Sequence, residues 1–247
     1  MSIESDADWR GLRTVGRIVR LTLDALEQHA RPGVSTRELD DVAAHVFAAH
    51  GARSAPSLVY GFPGTVLISV NDEVVHGIPG TRRLERGDVV KLDVTAEKDG
   101  YMADAARTIV FAGEQEIARR LRACVRDAFM GALKVARAGR LVSEIGRAVE
   151  AEVGRFGFSV VRGLGGHGIG RTIHEAPSIP NYHDARQRDV LTEGLVVAIE
   201  PIISVGSGQV VEDPDGWTIR TKDGSLAAHH EHTVVITRGR PVLLTAA

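Results

Sequence analysis

Apolar residues recur at helical spacing in four stretches of the chain and bunch into valine-rich runs between them. In residues 9–29, Leu12, Val15, Val19 and Leu26, with Ile18 and Leu23 beside them, share one face of a 3.6-residue helix. Residues 35–50 open on Ser35-x-x-Glu38, a capping box whose two side chains take up free amides of the first turn, and close before Gly51. Leu39, Val42, Val46 and Phe47 form the stripe there. Residues 114–138 and 143–156 repeat the plan. The runs at 66–70, 89–94, 106–111, 195–203 and 231–236 are rich in β-branched residues and predict strands.

These elements fall into two similar blocks. Residues 30–39, ARPGVSTREL, match residues 136–145, ARAGRLVSEI, and the glycines Gly51 and Gly157 follow Gly33 and Gly139 at equal distance. Further on, GDVVKLD at 87–93 parallels GLVVAIE at 194–200. The offset is 106 from Gly33 to Gly139 and 107 from Asp93 to Glu200. The order predicts an α+β fold of two related halves, roughly 1–112 and 113–247, packed as one domain over residues 1–247. A curved, largely antiparallel sheet would carry helices on one face.

Composition narrows the class. A chain of 247 residues, 43% hydrophobic and 25% charged, is that of a soluble globular protein. A net charge of −2 leaves no electrostatic footprint for DNA or an anionic membrane. The single cysteine, Cys124, rules out an intrachain disulfide and points to a reducing compartment. The start, MSIESDADWRGLRTVGR, is too charged for a signal peptide, and no run is apolar and long enough to span a bilayer. The expectation is a cytoplasmic protein.

The chemistry concentrates in carboxylates. In KLDVTAEKDGYMADAARTIVF, residues 91–111, Asp99-Gly100 between two β-rich runs predicts a two-residue hairpin. If Lys98 pairs with Tyr101, Thr95 faces Asp104, and Asp93 becomes the diagonal neighbour of Asp104, roughly 7–8 Å away at the backbone. Two lone aspartates could equally be solvated. However, Asp93 after VVKL and Glu200 after VVAI occupy matching places in the two blocks, and Glu231 opens EHTVVIT. Four carboxylates buried together would be prohibitively costly without cations, and two divalent ions would cancel their charge. The stretch GGHGIGRTIHEAP, residues 165–177, adds His167 and His174 to a segment too rich in glycine for a helix. Glycines there would let the backbone approach such a site, and one imidazole would complete a ligand set. His76, in NDEVVHGIPG, lies in another turn-rich stretch.

In combination these motifs resemble those of type I methionine aminopeptidases, metallopeptidases of the pita-bread fold. NDEVVHGIP, LDVTAEKDGYMADAART, GGHGIGRTIHEAP, VVAIEP and DGWTIRTKDGSLAAHHEHT follow in order along nearly the whole chain. The resemblance implies five ligands for two divalent ions, Asp93, Asp104, His167, Glu200 and Glu231, with Asp104 and Glu231 shared. It implies that Glu200 serves as general base and acid, that His174 steadies the carbonyl oxygen, and that His76 meets the scissile amide nitrogen. Phe62 and Trp217 match residues lining the pocket for the N-terminal side chain. Departures fall in that pocket: Val59 stands where many relatives carry Tyr, Leu67 and Val75 where Cys is common, and Ile173 where Phe is common. They bear on how strictly methionine is preferred, although the replacements remain apolar and suit a thioether.

Manganese, iron(II), cobalt and zinc all suit an oxygen-rich set with one imidazole and no thiolate. The implied substrates are nascent chains with N-terminal methionine and a small second residue, met by a monomer with transient ribosome contact. Two other readings stand beside this one. An Xaa-Pro aminopeptidase or prolidase shares the ligands but usually carries an additional N-terminal domain, for which this chain is expected to have no room. A non-catalytic pita-bread binding module would usually have lost ligands.

Overall fold

The computed structural model describes residues 1–111, 113 and 116–246. The chain opens with α1 (Asp6–His29) and α2 (Thr36–His50), packed side by side. The six apolar residues of the α1 stripe are buried, each side chain contributing about 1.5–3 kcal/mol over an exposed one; Val15, Ile18, Val19, Leu23 and Leu26 pack on the first sheet, whereas Leu12 joins Met102, Val196, Ala198 and Leu244. On α2 the buried stripe is Leu39, Ala43 and Phe47, with Val42 and Val46 at its margin. The Ser35–Glu38 capping box is formed in both directions, and Gly51 ends the helix in the left-handed region at φ 61°.

β1 (Arg53–Ser54), α3 (Ala55–Tyr60), β2 (Leu67–Val70) and β3 (Glu73–Val75) lead into the long hairpin of β4 (Val89–Lys98) and β5 (Tyr101–Val110). β1 and β2 share one edge of β4, and β5 takes the other. The second block begins with α4 (Glu116–Val135) and α5 (Val142–Phe156). The expected start of α4 at 114 and the expected boundary at 112 fall outside the described residues. Then come β6 (Ser159–Val160), β7 (Gly165–Gly168), β8 (Glu175–Pro180), β9 (Val196–Ile199) and β10 (Ile202–Ser204). β11 (Val210–Glu212), β12 (Ile219–Thr221), β13 (Ala227–His229), β14 (His232–Val235) and β15 (Val242–Leu243) complete the chain.

Every strand pairing among the described residues is antiparallel, as expected, but hydrogen bonding divides the expected sheet into four. One holds β1, β2, β4 and β5. The others run β13-β10-β6, β11-β12-β3 and β15-β14-β9-β7-β8. The run 195–203, expected as one strand, breaks at Glu200-Pro201. Pro201 has no amide to donate, so the chain leaves one sheet after β9 and joins another as β10. Repeated landmarks take repeated conformations: Gly33 and Gly139, Gly51 and Gly157, and Gly87 and Gly194 all have positive φ. The isolated bridges Ser35–Arg83 and Leu141–Val190 recur at the same offsets.

Candidate active site

The four carboxylates arrive by three local devices. The first is the hairpin: Asp99 (φ 52°) and Gly100 (φ 80°) both adopt the left-handed conformation of a two-residue turn. Lys98 pairs with Tyr101, Thr95 with Asp104 and Asp93 with Ala106, so Asp93 and Asp104 share a face as diagonal neighbours. The second is the break at Pro201, held where the Asn181 side-chain amide donates to the Glu200 carbonyl at 2.8 Å. The third lies between β13 and β14. There Glu231 and Ala106 exchange backbone hydrogen bonds of 3.0 and 3.3 Å, joining the second block to β5.

His167 comes from β7, in the five-stranded sheet between β8 and β9. Its glycines answer to neighbouring strands. A Cβ on Gly166 would stand 2.3 Å from the Ala198 carbonyl oxygen, and one on Gly168 would stand 2.1 Å from that of Ala176. What the backbone approaches here is therefore β9 and β8, where the sequence suggested the site itself. The His167 Nδ1 donates to the Gly168 carbonyl at 2.9 Å, which fixes the tautomer and leaves the Nε2 lone pair facing Glu200 Oε1, 3.4 Å away. The turn after β7 is fastened by Glu175, which accepts from the amides of Arg171 and Thr172 and pairs with the amino group of Met1. His174 thereby meets His167 edge to face, with ring centres 4.3 Å apart and ring planes 60° to one another.

The cluster is buried: Glu231 is 1% exposed and His229, at the end of β13, also 1%. Burial holds the Asp93 carboxyl well above the usual carboxylate range, and Asp104 and Glu200 add to it. Glu231 is raised by burial and then by Asp104, Glu200 and Asp93. Burial pushes Glu200 up to about 8; His167 opposes the shift and Asp104 adds to it. Asp93 Oδ1, Asp104 Oδ1, Glu231 Oε1 and both His229 nitrogens are buried with no hydrogen-bond partner. Orphaned lone pairs among mutually repelling carboxylates are costly, and a divalent cation relieves both costs at once. One atom each from Asp104, His167 and Glu231 lie within 4.8 Å of one another, as do atoms from Asp93, His229 and Glu231. The residues fit a divalent metal.

A cavity of about 160 Å³ opens onto this cluster. Phe62, Leu67, Val75, Ile173 and Trp217 line it, together with His76 and His174. Phe62 and Trp217 meet edge to face at 5.2 Å, and Asp215 holds the Trp217 and Thr218 amides at 2.8 Å each. His76 sits just past β3 at φ 60°, an unusual conformation for a side-chain-bearing residue. Val59 is the exception: it is exposed on α3 and is not among the cavity-lining residues. Its neighbour Tyr60 lines the cavity instead, with its hydroxyl 2.6 Å from His174 Nδ1.

The sequence pattern marks neither Tyr60 nor His229. α3 is too short for periodicity to show which of Val59 and Tyr60 faces inward. For His229 a signal exists: it lies two residues before Glu231, hence on the same side of an extended segment. His230 and His232 instead pack on Phe129, at 5.1 and 5.2 Å.

The fold and the site define a metal-dependent hydrolase, built on paired helices and antiparallel sheets around a carboxylate–imidazole centre. The chain belongs to metallopeptidase family M24, which it matches over residues 10–238. It is 44% identical over 247 residues to methionine aminopeptidase 2 of Bacillus subtilis, covering 99% of each chain. The crystal structure of methionine aminopeptidase from Thermotoga maritima superposes with a TM-score of 0.96 at 32% identity, covering 100% of both chains. A prolidase from Pyrococcus horikoshii shares the fold at a TM-score of 0.78 and 23% identity; 99% of this chain matches 63% of that one.

Proposed function

We propose that this chain removes the N-terminal methionine from nascent polypeptides with a small second residue. Residues 1–247 would act as one catalytic domain, with two divalent ions held by Asp93, Asp104, His167, Glu200 and Glu231. The observation that carries the reading is the buried carboxylate cluster with unpartnered oxygens at the floor of an apolar cavity. Full-length similarity to methionine aminopeptidases supports the choice of substrate. The single buried Cys124 supports a reducing, cytoplasmic setting. In this reading the enzyme works as a monomer and meets its substrates as they leave the ribosome.

Bound divalent ions supply Lewis acidity and a nucleophilic water near neutral pH. The chain's own residues do the rest. Glu200, which lines the cavity, takes a proton from the attacking water at a carboxylate oxygen and returns it to the leaving amine. His174 is neutral, because burial and then His167 and His76 push it down to about 4. With the Tyr60 hydroxyl donating to Nδ1, the Nε2–H is left to donate to the substrate carbonyl oxygen as negative charge develops there. His76, lowered mainly by burial, serves the scissile amide nitrogen. Phe62, Leu67, Ile173 and Trp217 enclose the thioether side chain.

The test is to strip the protein with a chelator, restore manganese, cobalt, iron(II) or zinc singly, and follow Met-Ala-Ser beside Ala-Pro-Ala. Metal-dependent release of methionine from the first alone is expected. Cleavage of the second alone would assign the chain to Xaa-Pro hydrolysis, and cleavage of neither would make it a binding module.

A further inference from the structure

We infer that His229 is an additional protein ligand of the metal centre, giving the ion position at Asp93 and Glu231 an imidazole of its own. The inference rests on the metal-centre reading above and extends its ligand set by one residue.

The ring is nearly wholly buried, yet neither nitrogen has a hydrogen-bond partner. Buried imidazoles in folded proteins ordinarily satisfy at least one nitrogen. Carboxylate oxygens face both nitrogens. Nε2 lies 3.4 Å from Glu231 Oε2 and 3.5 Å from Glu200 Oε2, while Nδ1 lies 3.9 Å from Asp93 Oδ2. These separations are long for hydrogen bonds. Those at Nε2 suit ligands of one ion: donor atoms at about 2.1 Å from a divalent metal lie roughly 3–3.5 Å from one another. Asp93, His229 and Glu231 form one group able to hold an ion, and Asp104, His167 and Glu231 form another. Glu231 belongs to both, so each position has one imidazole and a shared carboxylate.

The placement of His229 is built into the fold. Its amide donates to Thr108 Oγ1 at 2.9 Å, and that hydroxyl donates back to its carbonyl at 2.6 Å. The β13–β10 ladder holds the other side, pairing His229 with Ile202. The backbone is thus clamped on both edges and the ring is directed into the carboxylates.

The chemical consequence is selectivity. A position lined only by carboxylates suits manganese, whereas a nitrogen donor shifts preference toward cobalt(II) and zinc. With His229 in place, the second ion should bind tightly and should favour cobalt over manganese.

Calorimetric titration of chelator-stripped protein with cobalt(II), and separately with manganese, should resolve two binding steps. His229→Gln is expected to weaken the second cobalt step by about 10–100-fold, to leave the first nearly unchanged, and to shrink the cobalt preference. X-ray absorption of the wild-type protein loaded with two zinc equivalents should show one imidazole per zinc on average. This measurement needs no variant and so survives any misfolding of His229→Gln. A value of one half, or stepwise affinities identical in the variant, would overturn the assignment of His229 while leaving the centre intact. Failure of the wild-type protein to bind any ion would overturn the metal-centre reading itself.

Discussion

His174 shows how packing selects the chemical form of a single side chain. Its ring meets His167 edge to face, lies against the Tyr60 hydroxyl and is held neutral well below neutral pH. Because the folded value of about 4 lies below the working range, its titration should leave no inflection in kcat/KM above about pH 5. His174→Ala should bind metal as the wild type does and lose about 10²–10³-fold in kcat, the size of one oxyanion donor. Steady-state kinetics beside a cobalt titration would check both halves, and unchanged turnover would remove His174 from the mechanism. At this scale the sequence is a good guide where spacing carries the information. The turn at Asp99-Gly100 sets the register of the hairpin, and that register alone puts Asp93 and Asp104 on one face. It is a poor guide where a short element decides orientation, as at Val59 and Tyr60.

The β7–β8 hairpin is the element that most depends on its neighbours. Its glycines are required by close strands on both sides, a pressure no local pattern reports. Gly168→Ala should therefore force β8 away from β7 and destabilise the protein by about 1–3 kcal/mol through overpacking. Gly154, in α5, has open space around it, and Gly154→Ala should be neutral or stabilising by about 0.4–1 kcal/mol. Thermal melts of the pair would check this; equal shifts would refute the packing account. The four long helices need no such help, because the apolar period is sustained along each. The strand expected over 195–203 fails at Pro201, a residue whose effect depends on a second sheet being there to receive the chain.

Across the whole molecule, the two blocks meet along β5, and threonine hydroxyls bond there to backbone groups across the junction. Thr233 Oγ1 accepts from the Asp104 amide and donates to the Asp104 carbonyl, both at 2.8 Å. Thr108 makes the corresponding pair with His229. Thr233→Val would leave a buried amide and carbonyl unpaired, a loss of about 1–3 kcal/mol. We expect that loss in denaturant melts performed with chelator present, together with weaker cobalt binding, since Asp104 and Glu231 lie on opposite sides of this seam. A melt matching the wild type would show that the seam does not depend on Thr233.

Local information is enough for the helices, the β4–β5 hairpin, the α+β class and the repeated landmarks, because caps, turn residues and apolar period act over a few residues. Motif order adds the family and the five carboxylate and histidine positions. Long-range contact alone decides that the strands separate into four sheets, that Tyr60 faces His174, and that His229 enters the carboxylate cluster with neither nitrogen partnered. A side chain's direction at a break or in a short helix depends on what packs against it, and the segments that pack at this site are far apart in the chain.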